Sequence, residues 1–475
     1  MKTRHLRALL LLTAGNLVLR FPSQAQQLPD LFPFPNSTGF LETHNTAGGP
    51  ISLAGPFFQS LGSNGRSCFS CHRPAEAWSI SADEVKLRFE LTQGRDPIFQ
   101  PVDGSNCNSL PTATIQDRRK AYSLLLHRGL IRVELPVPSN AEFEITGVEN
   151  PYGCNDLANV SVYRRPLPSA NLRFLSAVMW DGRESSPHNG TQKITPGTNP
   201  YDLLADLAHQ ALDATNGHAQ GTIPLTAEQQ KAIVDFEMNL ITAQAFDYRA
   251  GPLNHAGASG GPMFLAEHTM PDFFIGINDP LGGNPRNVPF TPVVFKLFDS
   301  WMQSPRWPGL FQFQQSRRES IARGQTLFNS KPINIVGVAG LNDDLNVASI
   351  SGTCGTCHDS PDVGNHSVSV PLNIGVGDLD SSLDLAYLPV FTLQNKRTFE
   401  IKRTTDPGRA LITGEWKDIG KLKGPVLRGL SSRSPYFHNG SARTLGEVVD
   451  FYNARFNIGF SSQEKEDLIA FLSAL

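Results

Sequence analysis

The strongest constraint on this chain is a five-residue pattern that occurs twice, as Cys68-Phe69-Ser70-Cys71-His72 and as Cys354-Gly355-Thr356-Cys357-His358. At this spacing one helical turn brings two thiols and an imidazole to one edge and one face of a planar group. The thiols can form thioether bonds to porphyrin vinyl groups, and the histidine can ligate the iron. The pattern predicts two covalently attached c-type haems. A zinc site would need further cysteine or histidine pairs nearby. A thioredoxin-like dithiol would not recur with histidine in the same place twice. A chain built around two such groups reads as mainly α, with two cytochrome c-like haem domains and long loops. The motifs lie 286 positions apart, so the N-terminal domain is expanded and the chain is not an exact tandem repeat.

The N-terminus reads as an export signal. Lys2, Arg4 and Arg7 form a basic start, an apolar run extends roughly from Ala8 to Val18, and Ser23-Gln24-Ala25 offers a small-x-small cleavage site. The run falls short of the roughly 20 residues that span a bilayer, so stable membrane insertion is not expected. This gives a signal peptide at 1–25, an N-terminal haem domain at 26–305 and a C-terminal haem domain at 306–475, in a periplasmic protein. Cysteine usage fits export. Four of the six cysteines belong to the motifs, which leaves Cys107 and Cys154 as a disulfide pair or as free thiols. The formal net charge of −3 gives no electrostatic reason to expect nucleic acid as a partner.

Helical signals cluster in a few places. The pattern turns helical from about Ala205. Thr226 with Gln229 forms a capping box, followed by Ile233, Phe236 and Leu240 on one face. The stretch 251–292 is rich in glycine, proline and asparagine and reads as loops. A helix begins near Arg318 and carries Ile321, Leu327 and Phe328 towards the second motif. Two helices close the chain, one capped by Thr444 with Glu447, the other by Ser461 with Glu464.

Three segments together resemble the bacterial di-haem cytochrome c peroxidase superfamily, which includes MauG-like enzymes. They are the two motifs, Trp180-Asp181-Gly182-Arg183 between them, and Gly424-Pro425-Val426-Leu427-Arg428 followed by Ser434-Pro435-Tyr436-Phe437-His438-Asn439-Gly440 and Thr444-Leu445. The resemblance implies an oxidoreductase in which hydrogen peroxide, or oxygen, reacts at the N-terminal haem. His72 would be the proximal ligand there and His358 that of an electron-transfer haem, with Trp180 as the bridge. Electrons would come from a small redox protein or from an organic or protein substrate. The alternative is a non-catalytic di-haem electron carrier with two six-coordinate haems.

The resemblance also implies a sixth ligand for the second haem eight residues after Thr444. Peroxidases place methionine there, and none of the six methionines follows the second motif. Tyr452 stands at the position, as in MauG-like members. A phenolate is a hard anion that stabilises ferric iron. His366 and His438 are rival ligands. The distal acid–base group at the first haem has two candidates, Asp202 in Asn199-Pro200-Tyr201-Asp202 and His218 further on. No histidine stands between about Cys154 and Arg165, where peroxidases carry a removable ligand. Arg165 falls near the asparagine that helps bind calcium between the domains, which speaks against calcium.

Overall fold

A computed structural model describes residues 27–175, 177–185, 200–267, 278–279, 281, 287–291, 293–303, 311–358 and 370–475. The segment 1–25, His366 and much of 251–292 lie outside the described residues. No described helix is long and apolar enough to cross a membrane.

The mainly-α expectation is overturned. The chain is 32% helical and 19% strand, a mixed α/β architecture with many small sheets. The reason lies in long-range pairing. Strand Gly39–Asn45 pairs antiparallel with Leu240–Asp247, in register from Leu240 opposite Asn45 to Asp247 opposite Gly39, with an irregularity at Gln244/Phe246. Strand Phe143–Glu149 pairs with Val390–Asn395, which in turn pairs with Ile401–Thr404. A third pair joins Ile131–Pro136 to Asn159–Arg164. These strands are short and flanked by turns, so their periodicity is weak and their partners are distant along the chain.

The helical signals hold better where a cap fixes them. Thr226 Oγ1 accepts from the Gln229 N–H at 3.2 Å and Gln229 Oε1 accepts from the Thr226 N–H at 2.9 Å, and the helix runs Ala227–Met238. Leu240 is not on its face. It opens the strand Leu240–Asp247, because the helix ends at Asn239 and a mostly buried strand sequence follows. The helix placed near Arg318 starts earlier, spanning Phe311–Ser330. Thr444 and Ser461 cap the last two helices, Leu445–Phe456 and Ser462–Ser473. The C-terminal helix packs its Leu468 and Phe471 into a core with Ile321, Ala322 and Phe328. Gly324 sits at that crossing, where a Cβ would lie 2.0 Å from the Asp467 carbonyl oxygen, so only glycine lets the helices approach this closely.

Candidate functional site: two Cys-x-x-Cys-His turns and the residues between them

Both motifs fold into the same turn. Cys68–Ser70 and Cys354–Thr356 are single turns of 3₁₀ helix. The histidine N–H of each closes on the first cysteine carbonyl, at 2.9 Å for His72 and 3.0 Å for His358. A hydroxyl pair flanks each turn. Ser67 N–H donates to Ser70 Oγ at 3.1 Å, and Thr353 N–H donates to Thr356 Oγ1 at 3.0 Å. Hydroxyls before and inside each motif were a legible signal for this shared geometry. Burial pushes the thiols of Cys68, Cys354 and Cys357 up to about 12 and raises Cys71 as well.

These surroundings fit a haem at each turn. At the first, His72 Nδ1 lies 2.9 Å from the Trp78 carbonyl oxygen. That bond fixes the ring and leaves Nε2 to serve as a ligand. Apolar residues pack around it: Phe57, Phe58, Phe69 and Phe236 flank Cys68, while Val85 and Phe89 lie on the Cys71 side. At the second, Cys354, Cys357 and His358 stand on the wall of a largely apolar cavity of about 220 Å³. Leu468 and Leu472 of the C-terminal helix form part of the same wall, together with Phe328.

Three residues singled out in the sequence meet at this second cavity: Trp180, His438 and Tyr452. The Tyr452 phenol is raised above its ordinary pKa by burial and by the nearby Cys357 and Cys354 thiols. The Trp180 and His438 rings lie 6.0 Å apart in an edge-on arrangement. Burial lowers His438 to about 4, despite Asp406 nearby, so its imidazole is neutral.

Trp180 is also tied to the first turn. Its Nε1–H donates to the Arg165 carbonyl at 2.7 Å, and the next carbonyl, of Pro166, accepts from Ser79 Oγ at 2.6 Å. Ser79 adjoins Trp78, whose carbonyl holds His72. Arg165 is buried. Its guanidinium donates to the carbonyls of Ile80, Arg433 and Arg128 at 2.6, 2.9 and 3.1 Å. A buried ion cluster fixes the turn from below. Arg164 bridges Asp181 and Asp406, reaching the latter through two bonds of 2.7 and 2.9 Å. Arg183 lies 3.4 Å from Asp181.

The two distal candidates separate. Asp202 and His218 stand at opposite ends of the helix Pro200–Gly217, about 24 Å apart along its axis at 1.5 Å per residue. The Asp202 side chain lies outside the described residues. The His218 end is pinned to the loop before Cys68, through Asn64 Nδ2–H to the His218 carbonyl at 2.8 Å. His218 Nδ1 lies 2.5 Å from Asp103 Oδ2, and the other Asp103 oxygen accepts from Arg66. Burial by itself would raise the Asp103 carboxyl, but Arg66 and His218 hold it below its ordinary value. Burial lowers His72, the bond to the Trp78 carbonyl opposes this, and His218 adds to the lowering, which places His218 beside the first motif.

Two carboxylates here escaped the sequence reading. Nothing along the chain marks Asp103 as the partner of His218. Glu237 had a signal, being a charged residue four positions after Ile233 on a buried helix face. It is 5% exposed, and its Oε2 has no hydrogen-bond partner among the described residues. Burial pushes it up from 4.5 to about 8. In the unfolded chain it ionises first, so folding loses stability as pH rises from 4.5 to 8, by up to about 1.4 kcal/mol per pH unit. Glu237→Gln should therefore stabilise the holoprotein at pH 8 and leave it nearly unchanged at pH 4.5. Urea unfolding at the two pH values tests this, and equal gains at both would refute it.

Cys107 and Cys154 are joined as a disulfide in the structure. It links the loop before the helix Ile115–Ala121 to the turn before the strand Asn159–Arg164.

No family model matches the chain. Among curated proteins, cytochrome-c peroxidase IdrP1 of Denitromonas iodatirespirans is 34% identical over 142 residues, covering 26% of this chain and 36% of its own. Its namesake from Pseudomonas sp. (strain SCT) is 42% identical over 81 residues, 15% of this chain and 21% of its own. Over these matched segments the chain is similar to bacterial cytochrome-c peroxidases. At that level the resemblance drawn from the motifs holds. The matched segment spans only about a third of the length of the first curated relatives, 36% and 38%. A solved MauG-like protein associated with microbial copper homeostasis aligns over 88% of this chain and 87% of its own, at 15% identity and a TM-score of 0.33.

Proposed function

We propose that this cytochrome-c peroxidase relative is an exported di-haem c oxidoreductase, with a reactive group in residues 26–305 and an electron-transfer group in 306–475. The observation that carries the reading is the pair of similarly built Cys-x-x-Cys-His turns, with Trp180 bonded towards the first and lining the cavity of the second. Cys68, Cys71 and His72 would hold one haem, and Cys354, Cys357 and His358 the other. A haem c supplies an iron at which peroxide, or oxygen, is reduced.

The chain's own residues set the rest. Peroxide cleavage needs a group that carries a proton from the near to the far oxygen. His218 fits, because Asp103 fixes its Nδ1 and leaves Nε2 as the exchanging atom. Arg66 and His218 hold Asp103 below its ordinary carboxyl pKa, so a carboxylate lies against the His218 ring. Asp202, about 24 Å from His218 along the helix axis, is the other candidate. Trp180 stands on the wall of the second cavity and is bonded towards the first turn, as an electron bridge requires. The donor would be a small redox protein or an organic or protein substrate.

Tyr452 is the sixth ligand in this reading. It lines the same cavity as His358, and burial raises its phenol above the ordinary pKa. EPR of the ferric holoprotein tests both halves. One high-spin and one low-spin signal are expected, with the high-spin signal lost on adding peroxide. Tyr452→Phe should alter only the low-spin signal. Two low-spin signals indifferent to peroxide, also after one-electron reduction, would instead establish a non-catalytic electron carrier.

A further inference from the structure

A second concave feature lies outside both turns. It is a cleft of about 680 Å³, in the size range of small-molecule sites. Its walls come from the helix Ala82–Thr92, the helix Ser123–Arg128, the segment around Tyr387 and the segment Ser434–Arg443. Pro435 faces both this cleft and the cavity of the second turn, so one residue separates them.

The charge in the cleft is unevenly satisfied. Lys86 pairs with Asp83 at 3.1 Å, across the exposed rim. Arg128 is 7% exposed and forms the floor. Its Nη1–H donates to the Gly440 carbonyl at 3.1 Å, its Nη2 is 3.8 Å from Asp384, and its guanidinium lies over the Tyr387 ring at 4.2 Å. The Arg443 guanidinium has no ion-pair partner among the described residues. Burial and the surrounding Lys86, Arg128, Arg119 and Arg443 together lower the His127 imidazole, so the local field is positive despite Asp83 and Asp384.

Aromatic faces complete the site. The Tyr387 hydroxyl donates to the Asn439 carbonyl at 2.9 Å, and the Tyr152 hydroxyl donates to the Tyr387 carbonyl at 3.0 Å. Both rings are thereby held in place, with Arg128 clamped against one of them. A planar guanidinium and a fixed aromatic ring favour a flat anion. We infer that this cleft binds a small aromatic organic anion, its carboxylate at Arg443 and Arg128 and its ring against Tyr387. The inference does not rest on peroxide chemistry.

The probe is benzoate, which is redox-inert, with benzamide as its uncharged counterpart, titrated into the holoprotein by calorimetry. Saturable 1:1 benzoate binding is expected, at least 10-fold tighter than benzamide. Arg443→Ala should weaken it at least 10-fold with the haem absorption spectrum unchanged, because this side chain is exposed. Tyr387→Leu should weaken benzoate and benzamide alike. Absence of saturable binding, equal affinity for the two probes, or an Arg443→Ala protein that binds as tightly as the parent would each overturn the proposal.

Discussion

Replacing His218 by alanine is expected to slow the reaction of the ferric holoprotein with hydrogen peroxide by about 10²–10⁴-fold, the usual worth of a positioned acid–base group. Both haems should remain attached, because His218 is 40% exposed and its loss disturbs neither Cys-x-x-Cys-His turn. Asp103→Asn should cost less. It keeps a hydrogen-bonding partner near Nδ1 but removes the carboxylate charge beside the ring. Stopped-flow absorbance across a pH series separates these effects. A His218→Ala protein that reacts at the parental rate would remove His218 from the chemistry and return attention to Asp202. Peroxide turnover that persists without either residue would mean that another group carries the proton.

The second large effect concerns stability. Arg164→Met is expected to cost about 3–5 kcal/mol, because it leaves Asp181 and Asp406 buried without their shared counter-charge. Burial would raise both carboxyls. For Asp181, Arg183 and Arg164 more than offset it, and for Asp406 Arg164 is the largest opposing influence. The folded values therefore lie below the ordinary carboxylate range. Such groups stabilise the fold above that range and lose their contribution as pH falls through it. The parent should thus lose stability on acidification below about pH 4, and Arg164→Met should lose less, because its carboxyls are no longer held ionised. Urea unfolding at pH 7 and pH 4 measures both. A cost under 1 kcal/mol at pH 7 would mean that Arg183, 3.4 Å from Asp181, carries the cluster alone. Trp180 directly precedes Asp181, so loosening this cluster should also weaken the bond from Trp180 to the Arg165 carbonyl.

Features whose chemistry is local could be read directly along the chain. Two thiols and an imidazole within five residues make one turn, and flanking hydroxyls close it, so both turns were legible without any knowledge of the rest. The helices capped by Thr226, Thr444 and Ser461 were legible for the same reason, since a cap and its partner sit three residues apart. Trp180 and Tyr452 were found through motifs, and the structure places both on one cavity wall. Tertiary structure alone decided the rest. The mixed architecture depends on strands that pair across about 200 residues or more, as Gly39–Asn45 does with Leu240–Asp247. Period-2 alternation over so few residues says little, and it does not name the partner strand. Asp103 lies 115 positions from His218, and only packing brings its carboxylate to that ring. Glu237 is a polar letter in a helix until the fold buries it with its Oε2 unpaired among the described residues. Short-range spacing encodes what one turn of backbone can assemble, whereas burial and charge pairing across the chain exist only once distant segments have packed together.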